Sequence, residues 1–170
     1  MQNYQQILLY IYPKLNRFIE DIQSFINYRA VHSYHIHLKV EKNISTMLDV
    51  LDRKRKLMLA QEILTKLFEQ FSDEEKYLLE YKYFRRKELL LGKYRDFPLN
   101  YSSRTYYRKQ KKIEAKVNAL FMQQSLDEKW FLQNFSSIPT VMQLYNDIQK
   151  GKLQLADKRR YSELLLKKAS

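Results

Sequence analysis

Tyr101-Ser102-Ser103-Arg104-Thr105-Tyr106-Tyr107-Arg108-Lys109-Gln110-Lys111-Lys112 reads as the opening turns of a helix, and its reading decides the fold. Ser102 is suited to cap the free backbone amides of such a helix. At about 100° per residue, Tyr106, Ile113, Val117 and Leu120 then fall within about 60° of one direction. They predict an inward stripe. Arg104, Arg108, Lys111 and Lys112 lie on the opposite side, with Thr105 and Tyr107 on the flanks. An apolar rear face behind an arginine-lysine front face is what a helix lying in the DNA major groove needs.

The charge extends outward from this stretch. Between Tyr81 and Lys116 there are twelve Lys or Arg and three acids, Glu88, Asp96 and Glu114, which leaves +9 of the chain's total of +12. Concentrating charge costs self-repulsion, and a polyanionic partner is the simplest reason to tolerate it. Ordinary surface helices intersperse Glu with Lys, whereas in the helix from Ser102 to Phe121 only Glu114 interrupts.

Two glycines and three prolines in 170 residues leave too little turn chemistry for a sheet protein. Long stretches rich in Leu, Lys, Glu and Gln favour helix, so the chain is expected to be all-α. Gln5 to Tyr12 predicts a short helix closed or kinked at Pro13. Leu15, Phe18, Ile19, Ile22, Phe25 and Ile26 mark a second helix. The pattern lapses across Ala30 to Lys39 and resumes from Val40 to Phe71 as one long helix, with Asp52-Arg53-Lys54-Arg55-Lys56 as its solvated middle. These two helices either fold back as a hairpin or pair with a second subunit, and neither register is cleanly heptadic.

Ser72-Asp73-Glu74-Glu75 is the sharpest helix start, with a capping box and three acids at the positive end of the dipole. Ile138-Pro139-Thr140 restarts a helix that Gly151 can end, and another is expected around Asp157 to Leu166. Three stretches result: 1–70, a helical hairpin or assembly region; 71–124, a DNA-binding region; and 125–170, a helical extension.

F-S-D-E-E-K-Y-L-L-E-Y-K-Y-F at positions 71–84 and Y-S-S-R-T-Y-Y-R-K-Q-K-K at 101–112 resemble region 4 of bacterial sigma factors. They resemble still more the phage and mobile-element transcription regulators of that type, such as the ArpU family. The likeness covers about fifty residues, Phe71 to Phe121. It implies a helix-turn-helix whose first helix is Arg85 to Tyr94 and whose recognition helix opens at Ser102. Base or phosphate contact would fall to Ser103, Arg104, Thr105, Tyr107 and Arg108, with RNA polymerase as a further partner. Lys111 and Lys112 add phosphate contacts on the same face, and Arg85, Arg86, Lys87 and Lys93 grip flanking phosphates. The segment from Lys93 to Tyr101 departs from the pattern, being longer than a tight turn and containing Pro98. Nothing resembles sigma region 2.

Other chemistry is sparse. With no cysteine there is no disulfide framework, thiol nucleophile or thiolate metal site. His32, His35 and His37 have ligand-like spacing but no acid cluster beside them, so no metal is expected. No Gly-rich phosphate loop, nucleophile elbow or H-E-x-x-H is present, and neither an enzyme nor a cofactor is expected. Met1 to Tyr12 lacks the layout of a signal peptide, and no apolar run reaches membrane-spanning length. A cytoplasmic, double-stranded-DNA-binding transcription regulator with no membrane partner is the expectation. An RNA binder, a packaging or recombination accessory protein, and a helical protein–protein adaptor or inhibitor are the alternatives. Tyrosines interleaved with basic residues would also suit single strands. Tyr77, Tyr81 and Tyr106 are read instead as half-buried helix residues with surface hydroxyls, while Tyr101 and Tyr107 stay open.

Overall fold

Pro13 sets the first boundary. Without an N–H it cannot complete the α-helical ladder, and helix α1 (Asn3–Ile11) passes through one 3₁₀ turn (Tyr12–Lys14) into α2 (Leu15–His32). The computed structural model describes residues 1–32, 40–84 and 101–151, and every regular element among them is helical. The long helix expected from Val40 onward is α3 (Val40–Glu69).

Helices α2 and α3 form the hairpin, and their polar contacts give its sense. Arg29 donates to Asn43, Lys54 to Gln23 at 2.5 Å, and Gln61 to Asn16, while Tyr12 meets Thr65. Position numbers rise on one helix as they fall on the other, so the pair is antiparallel. The charged stretch at 52–56 is less solvated than expected. Lys54 is spent on α2, and Lys56 reaches Asp52 at 2.6 Å and Ser137 at 3.3 Å.

Helix α4 (Asp73–Leu79) starts as its sequence dictates. The Ser72 hydroxyl accepts from the Glu75 amide, and the Glu75 carboxylate accepts from the Ser72 amide. It continues into a π-helical turn (Glu80–Phe84), where the sequence predicts plain α-helix. Tyr77, Tyr81 and Tyr106, expected to be half-buried, are buried at 4%, 7% and 8% exposure.

Helix α5 (Ser103–Gln123) carries the basic stretch and is capped by Ser102, whose hydroxyl accepts from the Thr105 amide. It ends in a Schellman turn. The Leu126 amide donates to the Phe121 carbonyl and the Ser125 amide to Met122, with Ser125 at φ +55°. Helix α6 (Glu128–Phe135) is capped by Asp127, and α7 (Pro139–Gln149) opens on its proline and closes before Gly151 at φ +68°. The helix expected around Asp157 to Leu166 lies outside the described residues.

Helix α1 is the hub. Nine residues make a marginal helix alone, and this one buries more than half of its circumference, leaving only the side of Asn3, Gln6 and Tyr10 partly exposed. Ile7, Leu8, Leu9 and Ile11 are at most 1% exposed. It packs on α7 and on the π turn, and the Tyr4 hydroxyl donates to the Leu126 carbonyl at 2.8 Å. One continuous core draws Ile7 and Leu64 from the first stretch, Leu78 and Val117 from the second, and Phe131 and Val141 from the third.

Candidate nucleic-acid interface

Burial sorts the residues of α5. Tyr106, Ile113, Val117 and Leu120 are at most 8% exposed, so the inward stripe read from the sequence is the buried one. Gln110 joins it, at 3% exposure, and its amide Nε2 donates to the Leu78 carbonyl at 3.1 Å. The helical spacing puts Gln110 in this stripe, four residues after Tyr106 and three before Ile113, but glutamine in a basic run reads as surface. Phe121 completes the stripe.

The lysines divide by whether an acid reaches them. Lys109 binds both oxygens of Glu74 at 2.8 and 2.9 Å, and Lys116 binds Glu75 at 2.7 Å. The acids at the start of α4 therefore do two jobs: they complement the helix dipole and tie α4 to α5. Lys109 also lies 4.9 Å from the Tyr101 ring centroid and Lys116 lies 4.7 Å from that of Phe71. The Tyr101 hydroxyl donates to Glu74, which places Tyr101 in this clasp.

Glu114 does not dilute the basic face, because it points to the π turn. Its Oε1 accepts from Lys82 at 2.5 Å and from the Tyr83 hydroxyl at 3.3 Å. Adjacent residues diverge around a regular helix, yet Lys82 and Tyr83 meet one carboxylate oxygen here, within the widened turn. Burial, then the Glu114 charge, pushes the Tyr83 phenol far above its ordinary 10.0. Burial alone would raise the Glu114 carboxyl, but Lys82 outweighs it and the pKa falls below 4.5. Glu74 is lowered by Lys109 and then Tyr101. For Glu75, burial is outweighed by Lys116 and the Ser72 amide, and the pKa is again lowered.

What remains is a bare cationic surface. Arg104, Arg108, Lys111 and Lys112 are exposed, and none makes an ion pair among the described residues. With Tyr107, 50% exposed, and Ala115 they line one shallow open hollow. Ser103 is exposed at the first position of α5. Thr105 is half-buried, its hydroxyl accepting from Ser102 at 3.0 Å. Seven of the residues read from the sequence thus fall on one helix, six of them exposed. Arg85, Arg86, Lys87 and Lys93, with the expected first helix of the helix-turn-helix and its turn up to Asn100, lie outside the described residues.

His32 stacks on Tyr28, with ring centroids 4.2 Å apart, and its Nδ1 meets the Tyr28 carbonyl. His35 and His37 lie outside the described residues, among which no cluster of ligands could hold a metal. No described helix is long and apolar enough to cross a membrane. Comparison with protein-family models, with curated proteins and with solved structures finds no match.

Proposed function

We propose that the chain is a sequence-specific double-stranded-DNA-binding transcription regulator of the sigma region 4-like kind, with α5 as its reading helix. One observation carries the reading. The acids near α5 neutralise Lys82, Lys109 and Lys116, and among the described residues they leave Arg104, Arg108, Lys111 and Lys112 facing solvent without a counter-charge. Ser103 and Arg104, at the start of the helix, approach base edges. Arg108, Lys111 and Lys112, along the next two turns, hold phosphates. Exposed Ala115 leaves room for close approach of the backbone. Arg85, Arg86, Lys87 and Lys93 would extend the phosphate contacts, and the resemblance to phage and mobile-element regulators adds RNA polymerase as a partner.

The test is selection of bound fragments from random duplex DNA, followed by titration of the recovered duplex against salt. Each neutralised phosphate contributes about −0.9 to the slope of log K against log salt, so the three contacts of Arg108, Lys111 and Lys112 give about −2.7 and further ones a steeper slope. No consensus, or a slope nearer zero than about −2, sinks the reading. Exposed Tyr107 between Arg104 and Arg108 favours one second reading, single-stranded nucleic acid with a base stacked on the ring. Tighter binding of the unpaired strand than of the duplex in the same titration would establish it.

A further inference from the structure

Phe25, Tyr28 and Tyr107 are the large aromatic rings left exposed among the described residues. Two of them are faced by neighbours on their own helix. The Arg29 guanidinium lies 5.3 Å from the Phe25 ring centroid, and Tyr28 stacks on His32. Tyr107 differs. Its one ring contact among the described residues is Tyr106, with centroids 5.5 Å apart and planes at 71°. An edge-on contact of this kind takes at most one face of a ring. Tyr106 is buried and is itself braced by Tyr81, 6.1 Å away at 80°. The series of rings thus runs from the core to the surface and ends on a ring held from behind. Arg104 stands one turn before Tyr107, Lys111 one turn after it and Arg108 beside it, all lining the same hollow.

We infer that Tyr107 is the stacking platform for one unpaired base, and that the preferred partner is duplex DNA carrying a single unpaired nucleotide. This rests on the duplex-binding reading above and narrows its target. An aromatic ring set among cations suits any base, because every base has a π face and a phosphate beside it. The number of rings limits the number of bases. A single strand is held by successive platforms along its track, and among the described residues of α5 Tyr107 is the one exposed ring. Tyr106 is buried, and Tyr101, just before the helix, is spent on Glu74 and Lys109. The position of the ring fits the same partner. At about 100° per residue Tyr107 lies about 80° from the mean direction of Arg104 and Arg108, on the flank of the cationic side. A ring on that flank meets only edges and backbone in a fully paired duplex, whose base faces are stacked on one another. An unpaired base can swing out and lay its face on the ring, and its unstacking costs least because it has no pairing to lose. Bracing by Tyr106 lowers the cost of ordering the ring on binding.

The probes are the duplex recovered by selection and a set of the same duplex with one extra, unpaired adenine placed at each position in turn. With the full chain, the adenine at one position should tighten binding at least about fivefold over the paired duplex. Tyr107→Ala should abolish that preference, yet leave the paired duplex bound within about twofold and with the same salt slope. Tyr107→Phe should keep the preference, since stacking uses the ring and not the hydroxyl. Helical circular dichroism of both variants should match that of the parent chain. Equal binding of the paired duplex and every member of the set overturns the inference, as does a preference that survives Tyr107→Ala. Tighter binding of the isolated single strand than of any member overturns it too. The two readings fail separately: a paired duplex bound with the expected salt slope but no gain from the adenine removes this inference alone, whereas no binding of any duplex removes both.

Discussion

Two neighbouring residues, Arg108 and Lys109, carry the same charge and are expected to do different work. Lys109 is held by both oxygens of Glu74 beside the Tyr101 ring, whereas Arg108 faces solvent and meets no acid among the described residues. Lys109→Ala should therefore lower stability by about 1 kcal/mol and leave the salt slope of duplex binding unchanged. Arg108→Ala should leave stability within about 0.5 kcal/mol and reduce that slope by about 1. Denaturant midpoints and salt titrations on the two variants decide it, and equal slopes would mean that Arg108 contacts no phosphate. Gln110 makes a different point. Its Nε2 satisfies the Leu78 carbonyl, while its Oε1 has no hydrogen-bond partner among the described residues. Gln110→Ala removes a buried donor and opens a void, and should cost about 1–3 kcal/mol in chemical denaturation.

The clasp between α4 and α5 gives the fold a pH dependence. Glu74, Glu75 and Glu114 all have carboxyl pKa values lowered from 4.5 in the folded chain. A lowered carboxyl binds protons less readily folded than unfolded, so it stabilises the fold fully above 4.5 and loses that contribution as the pH falls through the folded value. The urea midpoint should therefore drop as the pH is lowered from about 5 toward 2. The triple variant Glu74→Gln, Glu75→Gln, Glu114→Gln should be less stable at neutral pH and show a shallower drop, with the two curves converging in acid. Gln at position 75 can keep the capping box, so the comparison isolates charge. Some slope should persist, because Asp52 and Glu62 are lowered as well. Parallel curves would mean that the clasp contributes nothing.

Local signals carried much of this through the sequence, and long-range ones did not. The capping box at Ser72, the stripe from Tyr106 to Leu120 and the uninterrupted run from Val40 are patterns within one element, and all three stand in the structure. Which lysines are neutralised was not legible. Lys109 and Lys116 look the same as Lys111 and Lys112 in a linear reading, and their partners lie 35 and 41 positions away. The three segments 1–70, 71–124 and 125–170 follow breaks in the pattern, but no pattern in α1 reveals what it touches. Those nine residues sit between the π turn and α7, with Leu8 1% exposed at the centre. A core shared in this way should melt as a whole. Trp130, the sole tryptophan, reports on α6, whereas helical circular dichroism sums over every helix, with the α2–α3 hairpin as a large share. The two signals should trace one coincident denaturation curve. Leu8→Ala should then shift both together by about 2–5 kcal/mol, although it lies far in sequence from Trp130. If the hairpin folded independently of the rest, the dichroism would separate from the fluorescence, and Leu8→Ala would move one curve without the other.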